Sequence, residues 1–499
     1  MAIRIRCGEN GRTCFEKGQG GNYWKALKTR YIPSVLEFVR RNLRFFILAA
    51  GAGLILRLIF LIRFPGVVSD SLVYGDIAKN WLQHGIYGLS GTDEISPTYI
   101  RLPGYPAFLA LIFAIFGMEH YRAVLVTQIF VDIGTCFVCA DLARRLLGER
   151  SAKVAFLLAA MCPFLADYAA AALTETLEIF FTALAFDCAV TALQERKAVP
   201  WIVCGFSCAA AILLRPDGAL VWFVIVLYLG WKAVREWQSS ANARSVMFYA
   251  RSAVVLTLVS LAPLGPWAWR NWRVFHRFQP LAPRYANEED EFVPMGFNRW
   301  VKTWIADYTS VEEIYWQVPG STIDANKLPG RAFDSAQQQA TTTQAISEYN
   351  NLLHVSPELD QRFASLASER IRARPLRYYL WLPLVRIADM WLRPRTEMLP
   401  SDSRWWEFND EPEWSGLAVA FGLVGLFYVS SAFAGFAWAR NVELFGFLLF
   451  FVIVRSLFLG TLENPEPRYT LEMYPIVIVF AAAALRRKSA AGTQKLSSR

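Results

Sequence analysis

The chain has 499 residues, is 55% hydrophobic and contains 18 Trp and 36 Phe, a composition too apolar for a soluble globular protein. Its net charge of +9 does not indicate nucleic-acid binding, because Lys and Arg collect at the ends of apolar runs and form no single patch with interleaved aromatic residues. The composition therefore predicts an integral membrane protein that contacts membrane lipids and has no nucleic-acid partner.

Apolar runs of spanning or near-spanning length predict the membrane segments. They lie at about 44–64, 123–143, 153–172, 176–194, 199–214, 218–234, 252–269, 416–438, 443–460 and 470–485. The sequence thus predicts an all-α polytopic membrane protein with about ten transmembrane helices. The run at 199–214 is short because Arg215 and Pro216 stop it, so the number of spans stays open by one or two.

The distribution of Lys and Arg predicts the orientation in the membrane, since short cytoplasmic loops carry the excess of these residues. With ten spans, both basic tails and every basic loop fall on the cytoplasmic side. A crossing by the short apolar run at 103–117 would move all later basic loops outside. We therefore expect that run to form a helix that lies on, or dips into, the outer leaflet.

This topology divides the chain into five parts. They are a basic cytoplasmic tail at 1–43, an N-terminal transmembrane module at 44–269 with a first outer loop at 65–122, an extracytoplasmic region at 270–415, C-terminal transmembrane helices at 416–485, and a cytoplasmic tail at 486–499. The N-terminal module, with its outer loop, is expected to carry the chemistry.

The extracytoplasmic region, about 145 residues long, is predicted to be mainly helical. Ser356-Pro357-Glu358 is a helix start, and an apolar stripe follows it, whereas the polar stretch at 335–344 indicates a loop or a weak helix. The stretch 374–391 mixes Arg with Trp, Tyr and Leu, which is typical of a helix on the membrane surface. A soluble structural domain with no role in chemistry is the alternative for this region.

The first outer loop contains SDSLVYGDIAKNWL at 69–82, where the apolar pattern from Val73 predicts an outer-face amphipathic helix that ends near Gly85. Asp70 lies where an Asp caps a helix by accepting backbone N–H bonds, so capping and a functional role are both open from spacing alone. Asp76 projects from the polar face, where a solvated charge is the simplest interpretation.

Four arginines fall at predicted outer ends of helices: Arg101, Arg215, Arg270 and Arg468. A guanidinium fork matches the oxygens of a phosphate group, although each arginine alone could extend to lipid headgroups. Glu175 lies at another outer helix end, where it could orient an arginine, hold a sugar or face water.

Charged residues also occur inside the predicted spans, at Arg57, Asp132, Asp187 and Arg455. Each costs several kcal/mol if it faces lipid, so we expect them to pair between helices. Cys136 and Cys139 have C-x-x-C spacing but lie in an apolar run, which indicates small buried thiols. The four histidines have no neighbouring partner, and the sequence predicts neither a metal site nor a cofactor.

A set of short motifs resembles a known superfamily. The motifs are Asp70, Ser71, Tyr74, Ala78, Leu82, Gly85 and Tyr87, then Arg101 to Ala110, Thr174-Glu175, Arg215-Pro216-Asp217-Gly218, Pro266-Trp267 with Arg270-Asn271, and Glu466-Pro467-Arg468-Tyr469. In order and placement they look like the protein O-mannosyltransferase and aminoarabinose-transferase superfamily. These are polytopic glycosyltransferases of the C-type fold that take sugars from polyprenyl phosphates. Residues 272–373 show no comparable resemblance.

The resemblance implies a chemistry and a set of residues. An inverting transfer to an acceptor hydroxyl or amine needs one carboxylate as general base, and the resemblance gives this role to Asp70. The leaving phosphate is already an anion, so arginines and not a second acid would stabilise it. The expected substrate-binding residues are Tyr74, Arg101, Tyr105, Glu175, Arg215, Asp217, Arg270, Arg468 and Tyr469.

The expected partners are a donor in which a hexosyl or pentosyl group is linked to polyprenyl phosphate, and an acceptor that is a lipid, a glycan or a protein. In a bacterium the site would face the periplasmic side of the inner membrane. Two rivals stay open. One is a transporter or lipid flippase, although the chain shows no clear internal repeat, and the other is an oligosaccharide ligase or polymerase that uses a diphosphate-linked glycan.

Overall fold

The computed structural model describes residues 35–92, 94–239, 243–288, 290–408 and 411–485. The predicted cytoplasmic tails therefore lie largely outside the described residues, at 1–34 and 486–499. The chain divides into two units, 1–43 and 44–499; the first contributes one described helix, and the second contains all other features below.

Helices dominate the described residues, which confirms the predicted all-α polytopic class. In chain order they are α1 (Val35–Arg41), α2 (Leu43–Arg63), α3 (Ser69–His84), α4 (Gly104–Phe116), α5 (Tyr121–Leu147), α6 (Glu149–Ala160), α7 (Pro163–Ala169), α8 (Glu175–Glu195), α9 (Val199–Leu214), α10 (Ala219–Gln238), α11 (Ala243–Leu261), α12 (Leu264–Phe275), α13 (Met295–Val301), α14 (Ala336–Leu352), α15 (Pro357–Ala373), α16 (Leu382–Leu392), α17 (Pro412–Ala439), α18 (Phe445–Gly460) and α19 (Tyr474–Leu485). Short π or 3-10 turns include Pro216–Gly218, Val311–Tyr315, Arg377–Trp381 and Pro467–Met473. Two antiparallel strands, β1 (Gly88–Ser90) and β2 (Ile95–Pro97), form the one sheet among these residues.

Seven helical segments in the described ranges are long and apolar enough to cross a membrane, and the bent pair α6–α7, with 53° between its halves, would make an eighth. The shorter apolar helices α9 and α18 correspond to two further predicted spans. The seven segments, the bent pair and these two shorter helices together correspond to the ten predicted spans. The remaining short apolar helix, α4, is the one predicted to lie on or dip into the outer leaflet.

Charges inside the apolar helices pair with one another, as predicted. Arg57 of α2 contacts Asp132 of α5 at 2.5 Å and donates to the carbonyl oxygen of Ala160 in α6. Asp187 of α8 lies 3.7 Å from Arg145. Because a lone charge is costly in lipid, these pairs fix how the helices pack. The cysteines of α5 are buried and free, which confirms their interpretation as small thiols.

The first outer loop comprises α3, the β1–β2 hairpin and α4. As predicted, α3 ends at Gly85, whose φ of 69° places it in the left-handed region that glycine favours. The helix begins earlier than expected, at Ser69, so Asp70 lies in the first turn and Val68 takes the cap position. Asp76 is not merely solvated, since it accepts hydrogen bonds from the amide and hydroxyl of Ser90, both at 2.7 Å, and holds the hairpin against α3.

The region at 270–415, which is predicted to be extracytoplasmic and which we call the outer region, has its own apolar core, in which Trp300, Trp304 and Phe363 are fully buried. Ser356 caps α15 by accepting from the amide of Leu359, as predicted. The stretch 335–344, expected as loop or weak helix, forms the first half of α14. Between 376 and 392 six large apolar side chains are exposed, as expected of a helix on the membrane surface; they are Leu376, Tyr379, Leu380, Trp381, Leu384 and Leu392.

Candidate active site

A cavity of about 520 Å³ lies where the first outer loop meets the outer ends of α8, α9 and α19. Eight of the ten predicted site residues line it: Asp70, Tyr74, Arg101, Glu175, Arg215, Asp217, Arg468 and Tyr469. These residues come from distant parts of the sequence, and the fold gathers them in one place. We refer to this space as the arginine cavity, because Arg284 also lines it.

Local backbone structure places each charged group. Glu175 is the first residue of α8, where the partial positive charge of the helix N-terminus favours a carboxylate. Arg215 follows the last residue of α9 in an extended conformation, because Pro216 begins the next turn. Arg468 and Tyr469 lie in the 3-10 turn that leads into α19. Each side chain is thus fixed at a helix end that faces the cavity.

Glu175 bridges two arginines. Its Oε1 atom lies 3.6 Å from a guanidinium nitrogen of Arg215 and 3.6 Å from one of Arg468, and its side chain is only 2% exposed. Both guanidiniums also lie over the ring of Tyr469, at 4.6 and 5.3 Å from its centroid. The carboxylate and the aromatic ring together hold two positive charges side by side, at a separation that their mutual repulsion would otherwise oppose.

A deeper ion cluster supports this arrangement. Asp217, on the cavity wall, lies 3.4 Å from Arg215 and accepts a hydrogen bond of 2.9 Å from Arg455 of α18. Arg455 is buried and also contacts Glu178 at 3.4 Å and Glu472 at 3.2 Å. The sequence interpretation predicted pairing for Arg455 but missed both glutamates. Both glutamates are charged residues inside predicted spans, and this signal could have identified them.

Asp70 faces the cavity from the first turn of α3. Its Oδ1 accepts a hydrogen bond of 3.0 Å from Arg101, while Oδ2 has no hydrogen-bond partner among the described residues. The Arg101 guanidinium also lies 5.6 Å from the centroid of the Tyr74 ring. Burial raises the pKa of Tyr74 to about 12, so this phenol stays neutral at physiological pH. One carboxylate oxygen of Asp70 is therefore oriented and the other is open to a ligand.

Tyr105 and Arg270 lie outside the cavity lining. Tyr105 is fully buried behind Tyr74, and its hydroxyl donates to Gln128 at 2.7 Å. Arg270 donates to the carbonyl oxygens of Thr98 and Tyr87, each at 2.7 Å. Both side chains brace the first outer loop, and neither lines the cavity in which contact with substrate was expected.

Arg284 is a wall residue that the sequence interpretation missed. One guanidinium nitrogen of Arg284, Nη2, donates to both carboxylate oxygens of Glu463, at 2.7 and 2.9 Å, and the hydroxyl of Tyr285 donates to the same carboxylate at 2.8 Å. Arg284 lies in the part of the chain without a recognised motif, so no sequence signal marked it. With it, four arginines and three carboxylates line the cavity, which suits an anionic ligand.

A second cavity, of about 850 Å³, extends beneath the outer region and shares Asp70 and Arg468 with the first. Asp70 thus lies on the boundary of two spaces, one rich in arginine and one lined mainly by the outer region. No group of three or more potential metal ligands occurs among the residues with described positions.

Comparison with known proteins gives one family match. Residues 98–267 match the family model of dolichyl-phosphate-mannose-protein mannosyltransferases. This segment includes Arg101, Glu175, Arg215 and Asp217, and it excludes Asp70 and Arg468. The match confirms the predicted resemblance to the C-type glycosyltransferase superfamily. Comparison with curated proteins gives no match.

Solved structures that match the chain at low sequence identity include the following two. The oligosaccharyltransferase AglB from Archaeoglobus fulgidus, in complex with an inhibitory peptide and a dolichol-phosphate, is 12% identical with a TM-score of 0.49, over 89% of this chain and 50% of that one. ArnT from Cupriavidus metallidurans, bound to undecaprenyl phosphate, is 13% identical with a TM-score of 0.38, over 88% and 76%. The chain therefore spans about half the length of the archaeal protein.

Proposed function

Starting from the resemblance to C-type glycosyltransferases, we propose that this integral membrane protein moves a sugar from a polyprenyl-phosphate-linked donor to an acceptor at the extracytoplasmic face. The observation that carries the proposal is the arginine cavity with Asp70 at its edge. The donor phosphate would lie against Arg215, Arg284 and Arg468, and the sugar would lie toward Asp70.

The reaction is a single displacement with inversion at the anomeric carbon. The acceptor hydroxyl attacks that carbon as Asp70 takes its proton, and the bond from carbon to the phosphate oxygen breaks. The electron pair stays on the phosphate, which leaves as polyprenyl phosphate with one more negative charge. The arginines stabilise that charge through forked hydrogen bonds, so the step needs no general acid.

Arg101 has a different role in this proposal. Its hydrogen bond to Oδ1 fixes the direction of the Asp70 carboxylate and leaves Oδ2 for the proton. Glu175 and Tyr469 act as positioning residues, since they hold Arg215 and Arg468 in place.

Two rival functions make different predictions. A flippase would move the intact lipid across the bilayer without cleaving it, and a ligase or polymerase would consume a diphosphate-linked glycan. The larger cavity has few basic groups, so it would not stabilise an anionic headgroup that passed through it. This favours sugar transfer at Asp70, where the two cavities meet, over a flippase. The membrane is expected to be the bacterial inner membrane, with both termini cytoplasmic.

Reconstitution of the purified protein tests the proposal. Vesicles would receive a polyprenyl-monophosphate hexose or pentose, labelled in the sugar, or a polyprenyl-diphosphate glycan. Mass analysis should show free polyprenyl phosphate from the monophosphate donor, and a product of inverted anomeric configuration. Consumption of the diphosphate donor alone would favour a ligase, and movement of intact labelled lipid without cleavage would favour a flippase.

A further inference from the structure

The larger cavity, which we call the outer cavity, has a composition unlike that of the arginine cavity. Five carboxylates line it, and the basic residues among its lining are Arg468 and His354; the carboxylates are Asp70, Glu291, Glu312, Glu397 and Glu466. Arg468 is already held by Glu466 at 2.6 Å and by Glu175 at 3.6 Å. A ligand that carries a phosphate or a carboxylate would meet an excess of negative charge here.

Glu397 lies on the wall of the outer cavity with both carboxylate oxygens shielded from solvent. Neither oxygen accepts a hydrogen bond from another described residue. A buried carboxylate that receives no hydrogen bond from another residue is costly, so its oxygens are open acceptors for the hydroxyl or N–H groups of a ligand. Burial also raises the pKa of Glu397 to about 7, against the opposing effect of Arg395 and Arg468.

Aromatic side chains form the rest of the lining. Phe292 is 51% exposed and Trp316 is 44% exposed, although both lie on the cavity wall. Trp316 packs edge to face against Tyr308, with ring centroids 5.5 Å apart, so its orientation is fixed before any ligand binds. Rigid aromatic faces beside hydrogen-bond acceptors fit a ring that has an apolar C–H face and a rim of hydroxyl groups.

We infer that the outer cavity binds the acceptor, and that the acceptor presents an uncharged carbohydrate ring and not a phosphorylated group or a peptide. The inference rests on the proposed function, because Asp70 lies on the boundary of both cavities and would take the proton from the attacking hydroxyl. Trp316 stacks on the ring, and Glu397 accepts hydrogen bonds from hydroxyls that do not react.

Direct binding to the full-length protein in detergent tests this inference without any donor. The probes are methyl glucopyranoside, its 6-phosphate and a neutral peptide that contains serine, each measured by titration calorimetry. We expect the uncharged glycoside to bind at least about tenfold more tightly than the phosphate ester, since the carboxylate excess opposes the added charge. Tighter binding of the phosphate ester or of the peptide would overturn the inference.

Two variants and a matched control locate the site. Trp316→Leu and Glu397→Gln should each weaken glycoside binding about tenfold, because stacking and charge-assisted hydrogen bonds are lost. Glu94→Gln, at an exposed hairpin turn, should bind the glycoside as the unchanged protein does. Unfolding curves for each variant confirm that it is folded before it is titrated.

The outcomes separate the inference from the proposed function. Glycoside binding that the Trp316 and Glu397 variants weaken, in a protein that cleaves no donor, would contradict the proposed reaction but leave the ligand class of the cavity supported. Donor cleavage together with transfer only to phosphorylated or peptide acceptors would contradict the ligand class and leave the reaction intact. Variants that bind the glycoside with unchanged affinity would also contradict the inference.

Discussion

Glu175→Gln removes the carboxylate charge that two cavity arginines share while keeping the shape of the side chain. Each nitrogen–oxygen distance is 3.6 Å. At an effective dielectric constant of about 20, each pair contributes roughly 5 kcal/mol of Coulomb attraction, and the desolvation of the buried carboxylate offsets several kcal/mol of the sum. Removing one partner from a buried pair typically costs about 3–5 kcal/mol.

The remaining contacts place the expected cost at the lower end of that range. Arg215 keeps Asp217 at 3.4 Å, and Arg468 keeps Glu466 at 2.6 Å, so neither guanidinium loses its only counter-charge. We therefore expect Glu175→Gln to lower the free energy of unfolding by about 3 kcal/mol. Denaturant unfolding in detergent, followed by tryptophan fluorescence, measures this change.

The control for Glu175→Gln is the same substitution at Glu94, which is exposed at the turn of the β1–β2 hairpin. A surface change of this kind should alter the free energy of unfolding by no more than about 0.5 kcal/mol. Equal unfolding curves for the two variants would refute the reasoning, because Glu175 would then not hold the arginines together.

Three further predictions use other parts of the molecule. Arg284→Gln should lower the rate of sugar transfer about 10- to 100-fold in the labelled-donor assay, since a charge-assisted hydrogen bond contributes about 1.5–3 kcal/mol. The same substitution should change the stability of the protein little, because the side chain of Arg284 in its ion pair with Glu463 is half exposed. Burial raises the pKa of Glu397 from 4.5 to about 7, so ionisation of this carboxyl group disfavours the folded state, an effect that grows above pH ~4.5 and is complete above about pH 7. Glu397→Gln should therefore stabilise the protein by about 3 kcal/mol at pH 8 and have no effect below pH ~4.5, as unfolding at several pH values would show. Gly435→Ala should cost about 1–3 kcal/mol, because its Cβ would lie 1.8 Å from the carbonyl oxygen of Phe480, whereas Gly416→Ala in the same helix meets no atom within 4 Å and should be neutral in the same unfolding measurement.

The membrane segments could be predicted because their signal is local. An apolar run of a given length forms a helix in lipid whatever its neighbours are, and the Ser-Pro-Glu start at 356–358 specifies a cap in the same local way. The sequence left the start of the polar helix α14 open between a loop and a weak helix, because this first half, with exposed Gln337, Gln339 and Ala340, carries no apolar stripe. The buried residues of that half, Gln338 and Thr342, are polar, and the apolar contacts with the outer core begin later, at Ala345, Ile346 and Tyr349.

The site was predictable only as a list of positions at helix ends. Sequence order places Arg215, Arg270 and Arg468 at similar positions, yet the rotation of α12 turns Arg270 toward the carbonyl oxygens of the first outer loop. That rotation depends on packing and leaves no periodic trace in the sequence. The bridging of two arginines by Glu175 likewise depends on contacts between helices that are far apart in the chain.

Asp76 shows the same limit at short range. Its position on the polar face of α3 is periodic and was predicted, but its partner lies on a strand of only three residues. Such a strand is too short for an alternating pattern to mark it. Asp76 lies on the same helix as Asp70 but lines neither of the two cavities, so it is a suitable control for Asp70.

The central claim is that Asp70 is the base for sugar transfer at the edge of the arginine cavity. Its most direct test is the single-turnover rate of transfer from a polyprenyl-phosphate-linked sugar, measured for Asp70→Asn and Asp76→Asn. Asp70→Asn should lower the rate about 10²- to 10⁴-fold while polyprenyl phosphate still binds, and Asp76→Asn, in which the amide oxygen still accepts from Ser90, should transfer at the normal rate. Equal rates for Asp70→Asn and the unchanged protein would contradict the account.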